Sequence, residues 1–251
     1  MRPLAAREQT LGGLDCAVIE FGAQPQIGVI LCHGYGAPGS DLVGLAETLA
    51  DFMEESVAKF RFIFPAAPLA PVEFADFGGR AWWAINMAAL LSATQTQSFS
   101  QMHELSPPGI EQASEALAGC VREALAGLGE RPRYVLGGFS QGAMVTMNVT
   151  LSGEVPPPEL LVQFSGTLVR RPQWQEALRG GRLSRTTVLQ SHGRQDPILP
   201  FSSAEALHAL IKASQPNAEL IAFDGPHTIP VEALGNLALR LRRLATYHPG
   251  Q

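Results

Sequence analysis

The chain has 251 residues, 46% of them hydrophobic, and carries 18 basic against 23 acidic side chains for a formal net charge of −5. That much apolar material excludes a disordered chain, and a mildly acidic balance with no basic block argues against nucleic-acid binding as the main task. The 25 glycines and 19 prolines punctuate many turns but form no repeat, which excludes a collagen-like or linker protein.

The N-terminal stretch MRPLAAREQTLGGLD holds no apolar run of signal-peptide length. Residues 14–21 then read as a strand, and IGVILC at 27–32 reads as a strand buried on both faces. Ser40 or Asp41 suits a helix N-cap, followed by an apolar stripe at Leu42, Leu45, Ala46, Leu49 and Phe52. Residues 60–64 form another apolar strand, closed by Pro65. From 65 to about 108 the chain looks irregular, with Pro65, Pro68, Pro71, Gly78 and Gly79 ahead of Trp82 and Trp83. A loop of that length in a compact domain is usually functional, so it is expected to be a lid-like insertion. The most apolar stretch, 84–91, is too short to span a bilayer and contains Asn86. The expectation is a soluble, cytoplasmic protein with no integral membrane association.

Ile110, Ala113, Leu117, Val121, Leu125 and Leu128 mark an amphipathic helix. Residues 133–139 read as a strand, 141–151 as a helix, 159–164 and 186–191 as strands. The basic stretch 170–185 reads as a solvated surface connection. Ser202 with Glu205 fits a capping box, 218–223 a strand, and Pro230 the start of a last helix striped by Leu234, Leu237, Leu241 and Leu244. Repeated β–α alternation with apolar strands predicts a mostly parallel central sheet flanked by helices. No linker divides the chain, so residues 1–251 are expected to form a single domain. The three cysteines, Cys16, Cys32 and Cys120, are widely spaced in apolar stretches and read as core residues. Their spacing fits neither a disulfide framework nor a zinc site.

The strongest chemical signal is Gly138-Phe139-Ser140-Gln141-Gly142, a G-x-S-x-G motif where the strand YVLGGF meets the helix QGAMVTMNV. A serine at such a corner projects its hydroxyl above the sheet, and the flanking glycines relieve crowding. The following helix N-terminus offers backbone N–H groups to a nascent oxyanion. A serine hydroxyl needs a base, and in this arrangement an acid and then a histidine follow the serine in the chain. Of the later histidines, His248 lies near the C-terminus, His208 lies beside an apolar helix stripe, and His192 closes a strand. His227, in the turn after 218–223, is placed to act as the base. Asp196, 31 residues before His227 at its own strand end, is the preferred acid; Asp224 is the alternative. The second oxyanion donor is assigned to the N–H of Tyr35 in His33-Gly34-Tyr35-Gly36, beside that of Gln141.

The motifs LCHGYG, GGFSQGAM, HGRQDPILP and GPHTIP together resemble the carboxylesterase/lysophospholipase family of small α/β-hydrolases, which includes the acyl-protein thioesterases. The resemblance implies an α/β-hydrolase fold and a Ser–Asp–His esterase without metal or organic cofactor, carried here by Ser140, Asp196 and His227. It also implies that Trp82 and Trp83 border the acyl site; Met87, Leu90, Phe74 and Phe77, apolar residues of the same long loop, are further candidates for the acyl pocket. The chain departs from the family pattern at Phe223-Asp224-Gly225-Pro226, at Ala37-Pro38-Gly39-Ser40, and across 87–106. Those departures touch the acyl pocket and leave ester, thioester and lysophospholipid substrates all open. The expected partner is a small-molecule ester or acylated substrate, with the chain a monomer or homodimer. The alternatives are a dienelactone-hydrolase-like enzyme, which a cysteine nucleophile would favour, and a non-catalytic binding protein on the same fold.

Overall fold

A computed structural model describes residues 3, 5–96, 98–129 and 132–246. Eight strands form one sheet: β1 (Ala5–Leu11), β2 (Leu14–Glu20), β3 (Ile27–Cys32), β4 (Phe60–Pro65), β5 (Arg133–Phe139), β6 (Leu160–Phe164), β7 (Thr187–Gly193) and β8 (Glu219–Phe223). Their order is β1-β2-β4-β3-β5-β6-β7-β8, antiparallel at β1/β2 and β2/β4 and parallel from β4 onward. This is the mostly parallel sheet that the β–α alternation predicts, in the α/β-hydrolase arrangement that the motif resemblance implies.

Seven α-helices accompany the described sheet: α1 (Gly44–Met53), α2 (Met87–Gln95), α3 (Ile110–Ala126), α4 (Gln141–Ser152), α5 (Arg171–Arg179), α6 (Phe201–Lys212) and α7 (Val231–Thr246). The pleat sends alternate residues to opposite faces. In β3, Ile27, Val29 and Leu31 join one core with Leu49 of α1 and Leu237 of α7, while Ile30 and Cys32 join the other with Leu117 of α3 and Val145 of α4. Both faces of the strand are therefore covered, which is why its sequence is apolar throughout. Helix α4 runs through the second layer with every residue from Gln141 to Leu151 buried.

The structure corrects several expectations about individual elements. The stretch 65–108 is not irregular: it holds 3-10 turns at Val72–Phe77 and Phe99–Glu104 and the helix α2, whose Asn86 side chain caps the N–H of Ala89 at 3.0 Å. Residues 171–179 of the basic stretch form α5, anchored by buried Trp174 and Leu178 one turn apart. Neither Ser40 nor Asp41 caps α1; successive turns from Pro38 to Leu42 lead into it, and Val43 takes the cap position without a side-chain bond. Ser202 lies inside α6, which starts after Pro200, so no capping box forms. Strand β1 was not expected; it is an exposed edge strand turned back on β2 by Gly12 and Gly13, both at positive φ. A Cβ on Gly12 would stand 2.2 Å from the Cys120 backbone nitrogen, so only glycine allows this turn to approach α3.

Candidate active site

Ser140 sits between β5 and α4 with φ 55° and ψ −119°, a conformation that L side chains rarely adopt. Such backbone costs about 1–3 kcal/mol and persists only where its surroundings impose it. Here the Ser140 N–H donates to the Phe164 carbonyl at the end of β6 (2.8 Å), pinning the corner to the sheet. Crowding explains the glycines: a Cβ on Gly138 would lie 2.5 Å, and one on Gly142 2.1 Å, from the Cys32 carbonyl oxygen.

The loops after β7 and β8 are zipped together. Arg194 N–H donates to Phe223 O and Gln195 N–H to Gly225 O. The Ser165 hydroxyl, beyond β6, donates to Thr228 O at 3.2 Å. This brings Asp196 Oδ2 to 2.6 Å from His227 Nδ1. The other carboxylate oxygen accepts the N–H groups of Ile198 and Leu199, each at 2.9 Å. Burial by itself pushes the Asp196 carboxyl up, but hydrogen bonds from His192, His227 and the Leu199 N–H outweigh it and hold it below the ordinary carboxylate range. An ionised Asp196 accepts Nδ1–H of His227 and leaves Nε2 as the basic nitrogen. Asp224 sits elsewhere: its side chain is 83% exposed, and its only ion-pair neighbour among the described residues is Arg194 at 3.7 Å.

His192 is fully buried and donates from Nε2 to Leu199 O at 2.8 Å, with Asp196 Oδ2 at 3.2 Å. It thus supports the same carboxylate oxygen that meets His227. His208 is half-buried on α6, and His248 lies outside the described residues.

Ser140 and His227 line one cavity of about 500 Å³, with Tyr35 and Gln141 on its wall. The Tyr35 and Gln141 N–H groups make no hydrogen bond to another described residue. Trp83, Met87 and Leu90 line the cavity. Trp82 does not: it is 1% exposed, behind the wall, with its indole N–H on the His33 carbonyl at 3.0 Å. Phe74 and Phe77 also lie off the wall, in the outer 3-10 turn, where Phe77 is 60% exposed. The sequence did not point to Phe99, Met102, Met144 or Leu168, which are also part of the apolar lining. Position after the β6 end was the available signal for Leu168, and Met144 looks like ordinary core on α4; Phe99 and Met102 lie in the 65–108 stretch, beyond the residues picked out there.

Among the described residues, no three of His, Cys, Asp or Glu gather as metal ligands, and no helix is long and apolar enough to cross a membrane.

Comparison with known proteins agrees with this architecture. The phospholipase/carboxylesterase family model matches residues 14–244. Acyl-protein thioesterase 1 of Eremothecium gossypii is 31% identical over 220 residues, covering 84% of this chain and 86% of the relative. The Kluyveromyces lactis protein of the same name is 31% identical over 195 residues, covering 75% and 78%. Among solved structures, esterase PE8 superposes with a TM-score of 0.70 at 23% identity, covering 96% of this chain and 99% of that one. Zea mays acyl-protein thioesterase 2 gives 0.68 at 19% identity, covering 92% and 98%. With residues 14–244 matched by one family model, the chain belongs to the phospholipase/carboxylesterase family.

Proposed function

We propose that the protein is a carboxylesterase-type serine hydrolase that cleaves esters or thioesters of apolar acyl groups through an acyl-enzyme. The observation that carries this reading is a single cavity shared by Ser140, on its strained corner, and His227, held at 2.6 Å by Asp196. Ser140 Oγ attacks the acyl carbonyl while His227 Nε2 takes its proton and then passes it to the departing alcohol or thiol. Asp196 holds the imidazole tautomer and stabilises its cation. The Tyr35 and Gln141 N–H groups receive the oxyanion, each worth about 3 kcal/mol where such donors have been removed. Water, activated by the same histidine, releases the acid.

The wall formed by Trp83, Met87, Leu90 and Phe99 suits an aliphatic acyl chain, and the volume falls in the range of small-molecule pockets. The names of the thioesterase and esterase relatives support an acylated substrate. One sheet supplies every site loop, which supports reading the chain as a single domain.

Hydrolysis of p-nitrophenyl acyl esters of graded chain length tests the proposal. The wild-type chain is expected to turn over these esters and to be labelled by a fluorophosphonate, and Ser140→Ala to do neither. Turnover that survives Ser140→Ala, or a wild-type chain that is inert to both reagents, removes this reading.

A further inference from the structure

We infer that His33 is a positioning residue for the oxyanion donor Tyr35 N–H, held in register with the nucleophile corner by Trp82 and the side chain of Gln141. This rests on the proposed hydrolase reading and adds the device that aims its second donor.

The link is a property of the peptide group. The Gly34 carbonyl and the Tyr35 N–H belong to one planar unit, so fixing the oxygen fixes the direction of the hydrogen. His33 Nδ1–H donates to the Gly34 oxygen at 2.8 Å. The tautomer is imposed from behind: the Ala67 N–H, just past β4, donates to His33 Nε2 at 3.0 Å, leaving the ring proton on Nδ1. His33 is 1% exposed, and burial lowers its pKa, which keeps the ring neutral as the Ala67 bond requires.

His33 is in turn tied to Ser140's neighbour. Trp82 Nε1–H donates to the His33 carbonyl at 3.0 Å. The Trp82 N–H donates to Gln141 Oε1, and Gln141 Nε2 donates to the Trp83 carbonyl, both at 2.9 Å. Gln141 is fully buried, so both halves of its amide are spent on this segment. The two N–H groups of the oxyanion site come from loops after β3 and β5, and this chain of hydrogen bonds joins them without using the sheet. A donor that points a fraction of an ångström astray loses most of its value in the transition state and little in the ground state.

The test compares His33→Gln with His33→Asn. Asparagine places an amide N–H where Nδ1 stood, whereas glutamine places its amide near Nε2 and leaves the Gly34 oxygen without its donor. His33→Gln is expected to lower kcat by about 10- to 100-fold with KM little changed. Affinity for a trifluoromethyl ketone, which forms the tetrahedral oxyanion on Ser140, should fall in parallel, and His33→Asn should restore most of both. Trp82→Phe removes the indole N–H together with part of the buried ring and is expected to lower kcat and ketone affinity together by a smaller factor. It serves as the deciding variant if His33→Gln does not fold, as judged by thermal melting. Equal losses in His33→Gln and His33→Asn, or a change confined to KM, overturn the inference. Where neither histidine variant folds, unaltered kcat in Trp82→Phe overturns it. Fluorophosphonate labelling of the wild type separates this failure from failure of the hydrolase reading: a labelled, active wild type with unaffected variants rejects only the brace.

Discussion

At the scale of single residues, loop geometry rather than distance along the chain sets which carboxylate meets His227. Asp224 stands three positions before His227 and looks well placed in the sequence, yet its carboxylate turns to solvent beside Arg194. Asp196 is 7% exposed and spends both oxygens, one on His227 and one on two backbone N–H groups. Asp196→Asn can keep the backbone contacts but can no longer hold the His227 tautomer, so kcat is expected to fall by about 10⁴-fold, as in triads that lose this control. Asp224→Asn should stay within a few-fold of wild type. Steady-state kinetics on one p-nitrophenyl ester decides between them, and the reverse pattern would assign the acid to Asp224. The placement of these residues was largely legible because motif and position coincide: Ser140 stands at a strand-to-helix corner, and His227 lies in the loop after a strand. Trp82 shows where legibility stops. Composition marks an aromatic residue near the site but does not say on which side of the wall its ring lies.

At the scale of elements, legibility followed burial. Strands β3 and β5 were read with their observed bounds because their runs are apolar and end at breaks in the pattern. Strand β1 was invisible because Arg7, Glu8, Gln9 and Thr10 face solvent at the sheet edge. Helix α2 was invisible for a different reason: only Leu90 is buried, while Met87, Ala89 and Leu90 line the cavity, so its pattern does not follow a core-facing stripe. The 3-10 turn after it carries a prediction of its own. His103, 3% exposed, contacts the Ser203 hydroxyl of α6 through Nε2 and accepts from Arg171 of α5 at Nδ1, 2.9 Å away. Ser203 also accepts from Thr167, on the cavity wall, at 2.7 Å. Burial and the Arg171 charge push the His103 pKa down to about 4 from 6.5. The unfolded chain then binds this proton more readily than the folded one, so stability rises with pH across the gap. The contribution is whole above about 6.5, is lost progressively as pH falls, and is fully lost by about 4. His103→Gln is expected to flatten the dependence of the denaturation midpoint over that window while costing about 1 kcal/mol at pH 8 from weakened hydrogen bonding. An unchanged slope in the variant would show that other groups set the acid response.

At the scale of the whole molecule, the sheet separates two apolar layers while presenting its loops to one cavity. The site draws on the ends of β3, β5, β7 and β8, so no single β–α unit contains it, and only the assembled sheet brings residues 35, 140, 196 and 227 together. The cysteines report on that assembly from the inside. Cys16 and Cys120 face each other across β2 and α3 with their thiols hydrogen-bonded at 3.7 Å and not joined in a disulfide, and Cys32 lies at the end of β3. None is more than 2% exposed. The hydrogen bond with Cys16, together with burial, raises the Cys120 pKa, and burial raises that of Cys32, so both thiolates are disfavoured and access is blocked as well. A thiol reagent can then reach them only through openings that disrupt the core, and such openings in a packed sheet approach global unfolding in cost. The native chain is expected to stay unlabelled by a disulfide-exchange reagent while fluorophosphonate reacts at Ser140. All three thiols should appear in denaturant. Under intermediate denaturant, their labelling should follow the same midpoint as the loss of esterase activity, since one cooperative core supports both. Labelling of Cys16 and Cys120 that precedes the loss of activity would instead mean that the β2–α3 layer opens independently of the strand ends that carry the site.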